Sequence, residues 1–170
     1  IVFNLDDGKQ LRYNDTRKFG RMKLVSLDNY ANELPLSKLG PEPFYADEKK
    51  LYEKLHKCNL PIKHALLDQS IIAGIGNIYA NEICFAMGLD PYTPASKLTK
   101  KSVKELIEVA SSILNEAIKQ GGTTIHSFSA NGIDGLFQVK LKVHLQKKCS
   151  ICGGEITKEA IKGRGTYYCK

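Results

Sequence analysis

Cys149-Ser150-Ile151-Cys152 is a C-x-x-C motif that follows a strand-like run and is itself followed by Gly153-Gly154. This spacing lets two thiolates face one metal ion while backbone N–H groups of the turn support the sulfur atoms. After sixteen further residues, Cys169 ends a second strand-like run, Thr166-Tyr167-Tyr168. The pattern predicts a β-hairpin that binds Zn²⁺ through Cys149, Cys152 and Cys169.

A redox-active dithiol is the alternative interpretation of this motif. Such a pair usually stands at the start of a helix near a β-α-β unit. Cys149 and Cys152 are instead flanked by strand-like, basic sequence, so we favour zinc. A second C-x-x-C would place the fourth ligand two positions past Lys170, so three thiolates of the site are expected here. Cys58 and Cys84 stand alone in helical patterns, which is typical of buried structural thiols.

The charge of the chain lies mainly at its carboxy-terminal end. The 170 residues include 25 Lys and Arg and 18 Asp and Glu, and the part from Phe137 onward holds 8 and 2 of these. A net charge of +7 concentrated in this way indicates a polyanionic partner. The sequence shows no apolar run of about 18 residues and no basic leader, so we expect neither a membrane span nor a signal peptide. Its cysteines then belong in a reducing compartment.

The amino-terminal residues predict a β-hairpin. Val2-Phe3-Asn4-Leu5 and Gln10-Leu11-Arg12-Tyr13 flank Asp7-Gly8, a dipeptide that favours tight hairpin turns. A lone hairpin is unstable in water, so we interpret it as the end of a larger sheet and the chain as cut at its front. Residues 26–45 contain three prolines and are interpreted as a linker.

Helical patterns dominate the middle of the chain. We predict helices over residues 47–57, from Pro61 onward, over 78–87, and over 99–119 with Thr99 as N-cap. The longest has apolar residues at positions i, i+3, i+4 and i+7 and stops at Gly121-Gly122. A loop rich in glycine and small polar residues follows. Residues 137–146 then alternate between apolar and polar side chains, which predicts a strand.

Gly74-Ile75-Gly76-Asn77 separates two of the predicted helices. We expect the glycines to form a turn and Asn77 to cap the next helix, whose free N–H groups could accept a phosphate. Lys63 could add its charge to the same phosphate. The alternative is a plain connection between helices. A dinucleotide-binding loop is disfavoured because no strand precedes the motif.

Two further clusters combine arginine with turn or aromatic residues. Gly163-Arg164-Gly165 predicts a turn that holds Arg164 at the tip of the zinc hairpin, where it could contact a phosphate. In Arg17-Lys18-Phe19-Gly20, an extended backbone would point Arg17 and Phe19 the same way, as a wedge in a base stack. Exposed or salt-bridged arginines are the structural alternatives.

These clusters, in this order, resemble the formamidopyrimidine-DNA glycosylase family of bacterial base-excision repair enzymes. The resemblance covers nearly the whole chain. It is carried by Asp15-Thr16-Arg17-Lys18-Phe19-Gly20, Leu39-Gly40-Pro41-Glu42-Pro43, Ile62-Lys63 through Leu67-Asp68-Gln69, residues 72–82, Gly121-Gly122-Thr123-Thr124, residues 134–138, the C-x-x-C motif and residues 163–169. The chain departs from the family at Val143-His144-Leu145, where Val-Tyr-Gly is usual, and in a shorter link to Cys149.

The resemblance implies an α+β fold. Its parts would be the end of an amino-terminal β-sandwich, a helix–two-turns–helix domain and a carboxy-terminal zinc β-hairpin. We therefore predict the β-sandwich end over residues 1–25, a linker over 26–45, the helical domain with a lesion-capping loop over 46–135, and the truncated hairpin over 136–170.

The resemblance also implies a site and an activity. Lys63, Asn77 with the neighbouring Gly76, and Arg164 would grip the phosphates around a damaged nucleotide. Arg17 and Phe19 would enter the duplex, and residues 123–138 would close over an extruded 8-oxoguanine. The family's catalytic proline and glutamate have no counterpart in these residues, so we expect the chain alone to be inactive.

The intact protein would then be a bacterial cytoplasmic, nucleoid-associated monomer that binds damaged double-stranded DNA. It would remove oxidised purines through an imine and β,δ-elimination. An endonuclease VIII-like glycosylase and a non-enzymatic nucleic-acid-binding module are the alternatives.

Overall fold

Four α-helices and two short antiparallel hairpins make up the main regular structure of residues 1–15, 18–123 and 140–170, which the computed structural model describes. This mixture of helix and strand confirms the predicted α+β class. The chain divides into two units, Ile1–Ser37 and Lys38–Lys170. No described helix is long and apolar enough to cross a bilayer.

The first unit contains the predicted amino-terminal hairpin. Strand β1 (Val2–Asn4) pairs antiparallel with β2 (Gln10–Arg12), and Val2 is opposite Arg12. Gly8 in the connecting turn has φ 79°, a conformation that glycine adopts without steric cost. Farther along the chain, one-turn 3₁₀ helices stand at Tyr30–Asn32, Leu36–Lys38, Pro43–Tyr45 and Ala95–Lys97.

The helices of the second unit lie where the sequence predicts them. They are α1 (Glu48–His56), α2 (Ile62–Leu67), α3 (Asn77–Ala86) and α4 (Lys100–Lys119). Side-chain oxygens cap two of them: Asp47 accepts the N–H of Lys50, and Thr99 accepts the N–H of Ser102. The predicted N-cap Thr99 is therefore confirmed.

The core of the second unit forms around α4. The buried face of α4 consists of Val103, Leu106, Ala110, Leu114 and Ala117, which recur at helical spacing. This face packs against α1 and α3, and α3 also contacts the carboxy-terminal hairpin. Because α3 contacts both α4 and the carboxy-terminal hairpin, its polar residues can link the helical core to the hairpin.

The predicted strand over residues 137–146 is wrong for its described part, residues 140–146, which form turns and bends. Leu141 and Val143 are buried, so the apolar alternation does report burial. Among the described residues no strand pairs with this segment, because the Glu82 carboxylate takes three of its N–H groups. Glu82 accepts hydrogen bonds from the backbone of Lys142, Val143 and His144 at 2.8, 3.1 and 2.8 Å.

The carboxy-terminal hairpin consists of β3 (Ile156–Ile161) and β4 (Arg164–Cys169), in antiparallel register. Lys162 and Gly163 form its turn with φ values of 45° and 76°, and a two-residue hairpin turn favours positive φ at both positions. The prediction that Arg164 occupies the tip is therefore wrong. Arg164 is the first residue of β4 and pairs with Ile161.

Candidate metal centre and nucleic-acid interface

The predicted metal ligands lie together. The Sγ atoms of Cys149, Cys152 and Cys169 are all within 4.8 Å of one another. Backbone N–H groups point at two of the sulfurs: Ile151 donates to Cys149 Sγ and Gly154 donates to Cys152 Sγ, both at 3.4 Å. This is the support that the C-x-x-C spacing predicts. Three thiolates with such N–H contacts match the donor set of a structural zinc site.

Electrostatics of the thiols favour a cation between them. The N–H groups of Cys152 and Ile151 lower the pKa of Cys149 to about 7. The Cys169 thiol shares its proton with the sulfurs of Cys152 and Cys149, and these hydrogen bonds raise its pKa to about 12, since a neighbouring thiolate opposes a second negative charge. A divalent ion would remove this conflict. Cys149, Cys152 and Cys169 would hold the zinc ion, which would serve to stabilise the hairpin.

Lys63, Asn77 and the start of β4 meet at one carbonyl oxygen. Lys63 Nζ donates to Gly165 O at 2.7 Å and to Thr166 Oγ1 at 2.8 Å. Asn77 Nδ2 donates to the same Gly165 oxygen at 3.1 Å. Residues of α2, α3 and the hairpin that the resemblance assigns to one phosphate site are thus neighbours. Their common point is the residue that follows Arg164.

Positive charge accumulates around this carbonyl group. Lys63 is fully buried, and burial lowers its pKa to about 8, with the Arg164 guanidinium acting in the same direction. Burial also lowers the pKa of His64, and Lys162, Lys63 and Arg164 add to that effect. Arg164 itself is exposed. The site therefore combines a buried cation, Lys63, with an exposed cation, Arg164, that can reach a ligand.

Asn77 does not cap α3, and this prediction is wrong. It is the first residue of the helix, Gly76 occupies the N-cap position, and no side chain accepts a hydrogen bond there. The Asn77 amide is directed instead to Gly165, a partner that local sequence cannot reveal. The first-turn N–H groups of α3 consequently have no side-chain cap, as a helix terminus that receives an anion would require.

Gln69 fixes the turn that precedes α3. Its Oε1 accepts the N–H of Gly74 at 2.9 Å, and its Nε2 donates to Ile75 O at 3.1 Å. Gly74 has φ 85°, and Ile75 is buried in the core. The Gln69 side chain therefore fixes the backbone of Gly74 and Ile75, the residues that lead into α3.

Two polar residues that link α3 to its neighbours, Asn81 and Glu82, have no predicted role. Both are buried on α3. Asn81 Nδ2 donates to His144 Nδ1 at 2.9 Å, and its Oδ1 accepts the N–H of Tyr167 at 3.4 Å. Polar residues inside the apolar run of α3 are the signal that could have indicated them, because buried polar groups need partners.

The predicted wedge is described only in part. Arg17 lies outside the described residues, as do residues 124–138 of the predicted lesion-capping loop. Phe19 is 76% exposed. The expected extended backbone is interrupted at Lys18, where φ is 56°. Asp15 holds this turn by accepting the N–H groups of Lys18 and Gly20 at 3.1 and 2.6 Å.

A thiolate cluster on a hairpin that packs against a helical core defines a zinc-finger protein. Family models agree with both parts. The formamidopyrimidine-DNA glycosylase H2TH domain matches residues 39–129, and the zinc finger found in FPG and IleRS matches residues 146–170. The chain belongs to the formamidopyrimidine-DNA glycosylase family.

Curated relatives carry the family name. The chain is 43% identical to a formamidopyrimidine-DNA glycosylase of Bacillus licheniformis and 45% identical to one of Ureaplasma parvum. In both comparisons the match covers 99% of this chain and 63% of the relative. The chain thus spans less than two thirds of the length of these relatives.

Solved structures show the same fold. A Lactococcus lactis FPG mutant in complex with a Fapy-dG containing DNA superimposes with a TM-score of 0.89 at 40% identity, covering 99% of this chain and 63% of that one. The MutM (FPG) protein from Thermus thermophilus superimposes with a TM-score of 0.88 at 34% identity. That match covers 96% of this chain and 64% of the Thermus thermophilus chain. The architecture is therefore that of the corresponding part of these proteins.

Proposed function

We propose that this chain is the DNA-binding portion of a base-excision repair DNA glycosylase/AP lyase that removes oxidised purines. The relatives bear the name of such an enzyme, and the Lactococcus lactis structure is a complex with Fapy-dG containing DNA. The single observation that carries the proposal is the meeting of Lys63, Asn77 and the residue after Arg164 at one carbonyl oxygen.

We assign each of these groups a part in gripping a phosphate. The exposed guanidinium of Arg164 would contact phosphate oxygens directly. The Asn77 amide and backbone N–H groups beside Gly76 at the start of α3 would complete the contact. Lys63 is buried, so it would not touch the phosphate. It would act through its positive charge and through its hydrogen bond to the Gly165 carbonyl oxygen. Together they would fix the backbone beside an extruded nucleotide.

The remaining predicted residues would act on the duplex itself. Arg17 and Phe19 would fill the space that a flipped base leaves, which lowers the cost of extrusion. The resemblance assigns imine formation at C1′ to an amino-terminal proline and its neighbouring glutamate. The residues of this chain would therefore bind damaged DNA, and their part in cleavage would be to position it.

The oligomeric state, the cellular location and the domain bounds belong to the same proposal. One chain carries all the groups of the phosphate grip, which supports binding as a monomer. A DNA substrate supports a place in the bacterial cytoplasm, with the nucleoid. For the domains we propose residues 1–25, 26–45, 46–135 and 136–170.

Equilibrium binding to paired duplexes tests this proposal. One duplex contains a tetrahydrofuran abasic-site analogue and the other is intact but otherwise identical. We expect tighter binding to the abasic duplex, because its nucleotide needs no unstacking before the phosphate is gripped. Equal affinities would contradict the proposal and favour a nucleic-acid-binding module without a role in excision.

Covalent trapping and lesion preference give two further readouts. Borohydride treatment with an 8-oxoguanine duplex should give no covalent adduct with this chain. An adduct would contradict the assignment of imine formation to the family's amino-terminal proline. If the full-length protein prefers a lesion other than an oxidised purine, the result would favour the endonuclease VIII-like alternative.

A further inference from the structure

Thr166 is a fully buried residue that connects Lys63 to the backbone of Arg164. Its Oγ1 accepts a hydrogen bond from Lys63 Nζ at 2.8 Å. The same hydroxyl donates to the carbonyl oxygen of Arg164 at 3.1 Å. A threonine hydroxyl has one donor and two acceptor sites, so both bonds can form at once. A cation on α2 is thereby linked to the peptide group next to an exposed arginine.

Two consecutive carbonyl groups of β4 are held from inside the protein. The Gly165 oxygen accepts from Lys63 and Asn77, and the Arg164 oxygen accepts from Thr166. Arg164 and Thr166 are two residues apart in a strand, so their side chains project from the same face. Fixing the peptide groups on this side of Arg164 sets the direction in which its side chain leaves the strand.

We propose that Thr166 is a positioning residue of the DNA site, whose hydroxyl orients Arg164 toward the phosphate. This inference rests on the proposed function. Thr166 is buried and would touch no DNA. Loss of the hydroxyl would remove one donor from the Arg164 carbonyl and one acceptor from the Lys63 ammonium. The arginine would then have to be ordered during binding, which weakens the complex.

A double-mutant cycle on the intact chain tests the inference. Thr166→Val removes the hydroxyl with little change in volume, and Arg164→Ala removes the side chain that it would orient. We expect Thr166→Val to weaken binding to the abasic-analogue duplex by about tenfold in the wild-type background. In the Arg164→Ala background the same substitution should change affinity by less than about twofold. Equal losses in the two backgrounds would overturn the inference.

Matched variants separate positioning from a general structural role. Thr166→Ser keeps the hydroxyl and should restore most of the affinity. Thr157→Val removes a hydroxyl from the neighbouring strand β3, outside the Lys63 contacts, and should bind as wild type. A loss of affinity in Thr157→Val equal to that in Thr166→Val would also contradict the inference. It would show that removing a hydroxyl outside the Lys63 contacts weakens binding just as much.

Thr166→Val leaves a buried ammonium with fewer acceptors, and this change alone could prevent folding. The second variant is therefore Lys63→Met with Thr166→Val, which replaces both partners by apolar groups. This double variant should bind the abasic-analogue duplex more weakly than Lys63→Met alone, and the difference should disappear when Arg164 is also replaced by alanine. The outcomes are distinguishable: if Arg164→Ala itself leaves affinity unchanged, the proposed function fails, whereas an uncoupled Thr166 effect removes only this inference.

Discussion

The Nζ atom of Lys63 lies 2.7 Å from the carbonyl oxygen of Gly165, a residue 102 positions farther along the chain. The contact joins α2 to the strand that ends at the metal ligand Cys169. A buried ammonium without acceptors would be costly, so the hairpin must sit where its carbonyl group can meet it. The helical core and the hairpin are therefore joined at this contact.

DNA affinity should decline as the pH rises through about 8. Burial lowers the pKa of Lys63 to about 8, with Arg164 lowering it further and Cys84 opposing. His64 and His144 also lie near this charge. The protonated amine favours a phosphate, so affinity is highest below that pKa and falls as the proton is lost. Bound phosphate should extend the decline to higher pH.

Fluorescence anisotropy between about pH 7 and pH 9.5 would measure this dependence. Lys63→Met should bind more weakly and lose the titration. A wild-type profile that stays flat across the range would show that the charge of Lys63 does not act on DNA.

Glu82→Gln should destabilise the fold. The carboxylate accepts three backbone N–H groups from residues 142–144, and the glutamine amide would turn its own donors toward one or more of them. We expect a loss of about 2 kcal/mol in the free energy of unfolding, measured with urea. Glu116, a half-buried residue whose carboxylate pairs with the exposed Lys140, supplies the control, and Glu116→Gln should unfold as wild type. Equal stabilities of the two variants would contradict the role given to Glu82.

Substitution of Cys149 should remove zinc, whereas substitution of Cys58 should not. Cys149 belongs to the three-thiolate cluster, and Cys58 is a half-buried thiol outside it. Elemental analysis should find about one zinc ion per wild-type chain, with loss in Cys149→Ser and retention in Cys58→Ser. Thermal unfolding should begin earlier in Cys149→Ser. A disulfide between Cys149 and Cys152 in a zinc-free protein would instead support the redox alternative.

The protein should lose stability when the pH falls below about 6.5. Burial lowers the pKa of His144 from 6.5, with Lys63 and Lys158 acting in the same direction. The unfolded chain therefore binds more protons than the folded chain below pH 6.5, so acid favours unfolding. Protonation would also cost the bond that His144 Nδ1 accepts from Asn81.

Urea titrations at about pH 7.5 and about pH 5.5 would measure the difference. The loss should be smaller in His144→Gln, and His64 would account for part of what remains. An unchanged pH dependence in His144→Gln would contradict this assignment.

Local sequence predicts much of this fold because local physics determines those elements. Thr99 caps α4 through its own side chain, and the apolar spacing of α4 gives its buried face. Gly8 provides the positive φ for the first hairpin turn. The C-x-x-C spacing likewise places N–H groups beside Cys149 and Cys152 within the same turn.

The wrong predictions fall where a distant partner decides the structure. Residues 140–146 have the alternation of a strand, but the Glu82 carboxylate takes three of their N–H groups. Asn77 has the composition of a cap, but its amide reaches Gly165 across 88 positions. Arg164 looks like a turn residue between glycines, but Lys162 and Gly163 supply the positive φ values. Spacing along the chain contains none of these contacts.

We propose that Arg164, backed by Lys63 and Asn77, contacts a DNA phosphate, and the salt dependence of DNA binding tests this contact most directly. The logarithm of the association constant is plotted against the logarithm of salt concentration for wild type, Arg164→Ala and the α1 control Lys49→Ala. Loss of one phosphate contact should reduce the slope of Arg164→Ala by about 0.9 and leave Lys49→Ala unchanged. An Arg164→Ala slope equal to that of wild type, at equal affinity, would contradict the account.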